Sequence, residues 1–111
     1  MRISHIDLGD GEKRPVCFSL SAIEAIEDEF GGLEAMREGL VAGKIKTINR
    51  VLEIMLDSGA KYCAAMGVDC PPPLKGRPGD LIDVRDGSVI SAIFDAIAGD
   101  SERAVEVKGK N

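Results

Sequence analysis

The chain has 111 residues, of which 44% are hydrophobic and none is tryptophan, and its formal net charge is −5. This length fits one compact domain, and the hydrophobic share excludes a disordered polar chain. The negative charge, without a basic stripe interleaved with aromatic residues, argues against nucleic-acid binding.

Residues 2–20 predict a β-hairpin. Its strands, 2–8 and 14–20, flank Gly9-Asp10-Gly11-Glu12, and glycine accepts the positive φ angles that tight hairpin turns need. Alternating apolar positions in both strands predict one buried face. The residues expected on that face are Ile6, Leu8, Val16, Phe18 and Leu20. Since Pro15 lacks an amide hydrogen, the second strand is expected to begin at or near an edge.

A helix is predicted directly after the second strand. Ser21-Ala22-Ile23-Glu24 has the spacing of a capping box, in which the serine and glutamate side chains satisfy each other's backbone amides. The helix is expected over 22–30 and is ended by Gly31-Gly32. A shorter helix follows, with Leu33, Met36 and Leu40 on one stripe.

The longest periodic run, about Ile45 to Met66, predicts a central helix. Gly59 within it marks either a bend or a close helix contact. The residues expected on the apolar stripe of this helix are Ile48, Val51, Leu52, Met55, Tyr62, Cys63 and Met66.

The rest of the chain predicts a loop, a helix and a tail. Residues 68–79 contain three consecutive prolines and form a predicted loop, because proline cannot continue a helix. A last helix is expected over about 88–98, preceded at 81–84 by either a short strand or an extra helical turn. Residues 100–111 are polar and predict a flexible tail. The fold class is therefore α+β, mainly α: a short N-terminal β-hairpin followed by about four helices, in one globular domain over 1–99.

The densest acidic cluster contains Glu24, Glu27, Asp28 and Glu29. One interpretation is a functional carboxylate site, which would carry out acid–base chemistry or bind a divalent cation. The other is a solvated helix face near the positive end of the helix dipole, and this second interpretation is favoured. No spacing typical of a catalytic, cofactor-binding or metal-binding motif occurs, so no residue is assigned to any of these roles.

The cysteines indicate the compartment. Cys17, Cys63 and Cys70 contain no C-x-x-C pair, and with His5 as the single histidine they cannot form a usual zinc site. They are expected to act as small hydrophobic residues in a reducing cytoplasm. No N-terminal apolar leader and no run of about 18 apolar residues is present, which argues against export and a membrane span.

The order of these elements resembles the tail assembly chaperones of long-tailed phages and of phage-derived gene transfer agents. The resemblance rests on the strand-to-helix passage 16–23 and on 26–33, IEDEFGGL, which is similar to the family's pattern of a small capped helix ending in Phe-Gly. The run 48–56, a loop and the amphipathic helix 89–97 also match the family's layout, so the resemblance covers about residues 13–98.

The resemblance implies a non-enzymatic protein of the bacterial host cytoplasm that self-associates, binds the tail tape measure protein and recruits tail tube protein subunits. An apolar surface on the first or last helix would then be the contact. The residues expected to bind partners are Phe30, Leu33, Met36, Leu40, Ile90 and Phe94. Two alternatives stay open. One is a head–tail connector or another minor structural protein of the virion, and the other is a small enzyme or metal-dependent regulator built on Glu24, Glu27 and Asp28.

Overall fold

The computed structural model describes residues 3–72, 74–88 and 91–99. The predicted tail over 100–111 lies outside these ranges. Within them, a two-stranded antiparallel sheet is followed by four helical segments, which confirms the predicted α+β, mainly α, fold class.

The hairpin consists of β1 (Ser4–Asp7) and β2 (Lys13–Val16), with His5 opposite Pro15. Gly9 and Gly11 both adopt positive φ angles, 103° and 81°, as the turn sequence predicts. The Asp7 carboxylate accepts hydrogen bonds from the amides of Gly9, at 2.8 Å, and Gly11, at 3.2 Å. The Asp7 side chain therefore stabilises the turn.

The second strand ends at Val16, four residues earlier than predicted. Val16 and Cys17 are both fully buried, whereas Leu20 is 86% exposed, so the predicted single buried face is wrong at Cys17 and Leu20. Both residues lie beyond the end of β2, where strand alternation no longer applies: Cys17 is in the link to the first helix, and Leu20 is the first residue of that helix. Within β2 itself α3 (Ile45–Met66) packs against the strand, and burial is continuous from Arg14 to Val16.

Helix α1 (Leu20–Phe30) is capped by a different serine from the predicted one. The Ser19 hydroxyl accepts a hydrogen bond from the Ala22 amide at 3.1 Å and caps the helix, so the capping box at Ser21 and Glu24 is wrong. Ser21 and Glu24 are exposed within the helix. Gly31, with φ of 87°, ends α1 as predicted.

Helix α2 (Leu33–Val41) and α3 complete the centre of the core. The predicted α2 stripe is buried, since Leu33, Met36 and Leu40 are at most 8% exposed. The predicted bounds of α3 are confirmed, but Met66 at the end of its predicted stripe is 61% exposed. The buried residues of α3 are Thr47, Val51, Leu52, Ile54, Met55, Ser58, Gly59 and Cys63.

After α3 the chain turns back along it. Residues 78–80 form a short 3-10 turn (Pro78–Asp80) that begins within the predicted loop and extends one residue beyond it. Residues 81–85 form turns and irregular chain, so neither the strand nor the helical turn expected at 81–84 is present. Residues 87–88 are helical, and 91–99 form helix α4, which buries Ile93 and Ile97.

Candidate functional site: an apolar groove

An open groove of about 250 Å³ lies between the first half of α3, the 3-10 turn and α4. Its apolar lining residues, called here the α3–α4 groove, are Ile45, Ile48, Leu52, Ile82, Val84, Ile93 and Phe94. Only Asn49, Gly79 and Asp80 complete the lining. The groove is therefore a predominantly hydrophobic surface feature.

Burial changes in steps from the floor of the groove to its rim. Leu52 and Ile93 form the floor, with exposures of 1% and 2%. Ile45 and Val84 stand at the rim and are 68% and 73% exposed. Ile45, Ile48 and Leu52 share one face of α3 because they are spaced i, i+3 and i+7. The same helical stripe thus supplies both core and surface.

Polar contacts fix the wall that the 3-10 turn contributes. The Gly79 amide donates to Oδ1 of Asn49 on α3 at 2.9 Å, and a methyl group at Gly79 would lie equally close to that oxygen. Nearby, the Arg77 guanidinium donates to Oε1 of Glu53 through Nη2 at 2.8 Å and through Nε at 3.1 Å. The wall is therefore attached to α3 at two consecutive turns of the helix.

Charge lies at the border of the groove and not on its floor. Asp83 and Arg85 form an ion pair of 3.0 Å beside Val84. The Arg85 hydrogen bonds lower the pKa of Asp83, and Asp83 in turn raises the pKa of Arg85. Lys44 and Lys46, at the start of α3, are exposed. Such a groove offers apolar contact area with polar groups at the edge, which is the arrangement of a protein-binding site.

The structure separates the six residues predicted to contact partners. Leu33, Met36 and Leu40 lie in the core, because the stripe of α2 packs against α1 and α3, and each is at most 8% exposed. Phe30 is half-buried against the core. Phe94 is also half-buried and lines the α3–α4 groove. Ile90 lies outside the described residues.

The sequence analysis missed Ile45, Ile82 and Val84 as groove residues. Ile45 is the first residue of α3 and does not belong to the apolar stripe predicted for that helix. For 81–84 the sequence prediction concerns only the backbone conformation. The available signal was the apolar content of Leu81-Ile82-Asp83-Val84 in a segment without helical periodicity. Several apolar residues close together in irregular chain indicate a contact with another element or an apolar surface patch.

The acidic cluster is a surface of α1. Glu24, Glu27 and Asp28 are exposed. Glu29 pairs with Arg50 of α3, whose Nε donates to Oε2 at 2.6 Å, and this hydrogen bond lowers the pKa of Glu29 and raises that of Arg50. Among the described side chains, no three His, Cys, Asp or Glu residues are grouped so that they could hold a metal ion.

Comparison of the chain with protein-family models, with curated proteins and with solved structures finds no match. In the part of the chain that the structure describes, every helix is too short or too polar to cross a bilayer. Within the described residues, the α3–α4 groove joins an apolar floor to apolar residues exposed at the rim.

Proposed function

We propose that this protein is a non-enzymatic tail assembly chaperone, which binds a tape measure protein and recruits tail tube subunits in the cytoplasm of a bacterial host. The proposal is supported by the resemblance of the passage 16–33, in which β2 leads within four residues into a short helix closed by Gly31. It is further supported by an exposed apolar groove with polar groups at its edge, which suits contact with another protein.

The observation that carries the proposal is the exposure of Ile45 and Val84 on opposite sides of the α3–α4 groove. Amphipathic helices bind in grooves of this kind by inserting apolar side chains spaced i, i+3 or i+4 and i+7. A tape measure protein, as a long helical chain, is a source of such helices. Phe94 at the side of the groove would provide an aromatic contact for the inserted side chains.

The test is capture of the tape measure and tail tube proteins of the same locus by the tagged chain during co-expression. Ile45→Asp and Val84→Asp place a charge on either side of the groove and should abolish capture, since burying an unpaired carboxylate is costly. Val68→Asp is the matched control, because Val68 is also apolar and 55% exposed but follows the opposite end of α3.

Circular dichroism of each variant shows whether the fold is retained. Capture by wild type and by Val68→Asp, with loss in both folded groove variants, would support the proposal. Equal capture by all three variants would exclude the α3–α4 groove as the contact site. Failure of the wild-type chain to capture either tail protein would contradict the proposed function itself.

Self-association belongs to the same proposal and is measured by sedimentation of the purified chain. Purified particles distinguish the chaperone from the alternative of a head–tail connector or other minor structural protein of the virion. A chaperone is absent from finished particles, whereas a connector is recovered in them in fixed proportion to the other structural proteins.

A further inference from the structure

The hairpin has one covered edge and one open edge in the described part of the chain. The sheet has two strands, so β1 pairs with β2 along one side only. The far edge of β2 is covered by α3, where Gly59 lies against Pro15. On the far edge of β1, His5 and Asp7 are exposed, and the backbone bonds that join the described residues outside the helices and strands involve neither of them. An open strand edge of this kind is a template for another strand.

The register shows which backbone groups point to the open edge. Opposite residues of an antiparallel pair alternate between exchanging two N–H···O bonds and exchanging none. His5 lies opposite Pro15, which has no amide hydrogen and whose carbonyl lies against Gly59 of α3, so this pair exchanges none. The amide and carbonyl of His5 therefore point away from β2, and those of Asp7, two residues on, point the same way.

The side chains on this edge are complementary to a second copy of themselves. When two β1 strands are placed antiparallel about a two-fold axis at Ile6, His5 of each copy lies opposite Asp7 of the other. Both bonds from the turn amides end on Oδ1 of Asp7, which leaves Oδ2 for the imidazole of the other copy. The two Ile6 side chains then face each other on the buried side of the joined sheet.

The same arrangement uses the open backbone groups. His5 and the opposite Asp7 each direct their amide and carbonyl to the shared edge, so each of these two pairs exchanges both N–H···O bonds. A different register would place the outward groups of one strand opposite the inward groups of the other, or would lose the contact between His5 and Asp7. Backbone and side chains thus favour the same alignment.

We propose that the open edge of β1 is a self-association surface, at which two copies pair their β1 strands antiparallel and join the two hairpins into one four-stranded sheet. This inference rests on the self-association included in the proposed function and names the surface that mediates it. The paired strand has only four residues in each copy, a contact smaller than a standard interface. The dimer is therefore expected to be reversible and dependent on concentration.

The first test is sedimentation equilibrium of the full chain over a range of concentrations, with two opposite charges at position 5. His5→Lys keeps a donor opposite Asp7 and should retain the dimer. His5→Glu places like charges opposite each other twice and should raise the dissociation constant roughly tenfold or more. Ser21→Glu is the control, because it adds a negative charge at an exposed position of α1 and should leave the dimer unchanged.

A second pair of variants tests the backbone. His5→Pro removes an amide that makes no bond to β2, so the hairpin should be retained while the edge loses its donor. His5→Thr keeps the amide and a residue that suits a strand. The dimer should be lost in His5→Pro and should remain measurable in His5→Thr. Circular dichroism of each variant shows whether the fold is retained.

The alignment is tested with cysteines in a Cys70→Ser background, which removes the exposed native thiol. Opposite residues of a bonded antiparallel pair have Cα atoms about 5.5 Å apart, within reach of a disulfide, whereas residue 5 of one copy is diagonal to residue 5 of the other, at about 7–8 Å. A mixture of the folded His5→Cys and Asp7→Cys chains should therefore form disulfide-linked dimers under mild oxidation. Each variant alone should form far fewer.

Three outcomes would overturn the proposal. They are a wild-type chain that stays monomeric at every concentration, a dimer that persists equally in folded His5→Glu and His5→Pro, and a cysteine mixture that links no better than its components. Failure of this inference is distinguishable from failure of the proposed function. Capture of the tail proteins is scored separately, so a monomeric wild-type chain that still captures them would overturn the β1 surface alone.

Discussion

Gly59 of α3 lies directly against the carbonyl of Pro15 in β2, so closely that a methyl group on Gly59 would overlap the Pro15 carbonyl oxygen and carbon. The close contact that the glycine predicts is therefore with the hairpin and not with another helix. Because the sheet has only two strands, β2 pairs with β1 along one edge, and no further strand of this sheet separates its backbone from α3.

Replacing this glycine should destabilise the fold. Alanine normally stabilises a helix by about 1 kcal/mol relative to glycine, but the overlap at Gly59 is with rigid backbone. We expect Gly59→Ala to lower the free energy of unfolding by about 1–3 kcal/mol. Urea denaturation measures this change. Gly87→Ala is the control, since a methyl group at Gly87 meets no atom and should be neutral or stabilising.

The two serines at the start of α1 make opposite predictions. Ser19→Ala removes the hydroxyl that caps the helix and that lies 3.2 Å from the Ser58 hydroxyl, so stability should fall by about 0.5–2 kcal/mol. Ser21→Ala removes an exposed hydroxyl within the helix and should change stability by less than about 0.5 kcal/mol. Thermal unfolding of both variants measures the two changes in stability. A larger loss of stability for Ser21→Ala than for Ser19→Ala would indicate that Ser21 caps the helix.

The pair between Glu29 and Arg50 predicts a small acid-sensitive contribution to stability. Arg50 lowers the pKa of Glu29, so the contribution is present above the ordinary glutamate pKa of about 4.3 and is lost as the pH falls through the lower folded-state value. Because both side chains are more than a third exposed, it should not exceed about 1 kcal/mol.

Glu29→Gln should therefore be less stable than wild type at neutral pH, and the two should converge in acid. Glu24→Gln provides a matched control, because it removes the same charge from an exposed position of the same helix. A difference between wild type and Glu29→Gln that persists unchanged in strong acid would contradict an ionic origin.

Because Met36 lies in the core, its replacement is expected to reduce the stability of the fold and not to remove a contact with a partner. Met36 is fully buried, so Met36→Ala should cost about 2–5 kcal/mol through lost packing and the resulting cavity. Val41→Ala, in the same helix but 90% exposed, should change stability by no more than about 0.5 kcal/mol. A stable Met36→Ala variant that has lost only partner capture would favour the predicted contact role for Met36.

Local patterns were sufficient for the elements whose residues interact with near neighbours. The glycines at positions 9 and 11 predicted the hairpin turn, and the periodic run from about 45 to 66 predicted both ends of α3. The choice between Ser19 and Ser21 as the cap was different. Either serine satisfies the local rule for a helix cap, and the choice depends on where the strand ends: β2 ends at Val16, which leaves Ser19 in extended conformation at the start of α1.

The candidate groove could not be predicted from the sequence because its walls are distant in the chain. The bond between Asn49 and Gly79 joins residues 30 positions apart, and neither residue is unusual in its own segment. Periodicity identifies apolar faces, but it does not say which residues of a face remain uncovered when the other elements have packed. Ile45 and Leu52 share a face of α3, yet Ile45 is 68% exposed and Leu52 is 1% exposed.

The nearly buried Arg14 makes the hairpin turn and the proline-rich segment depend on each other. Its guanidinium bonds Asp10 in the hairpin turn and Pro72 in the proline-rich segment, which is 58 positions away from it. Hairpin turns usually accept inserted residues, because the added chain extends into solvent. Here an insertion that displaced Asp10 would release the Arg14 side chain and, with it, the segment that borders α3, so damage at the first turn would be detected by proteolysis near residue 72.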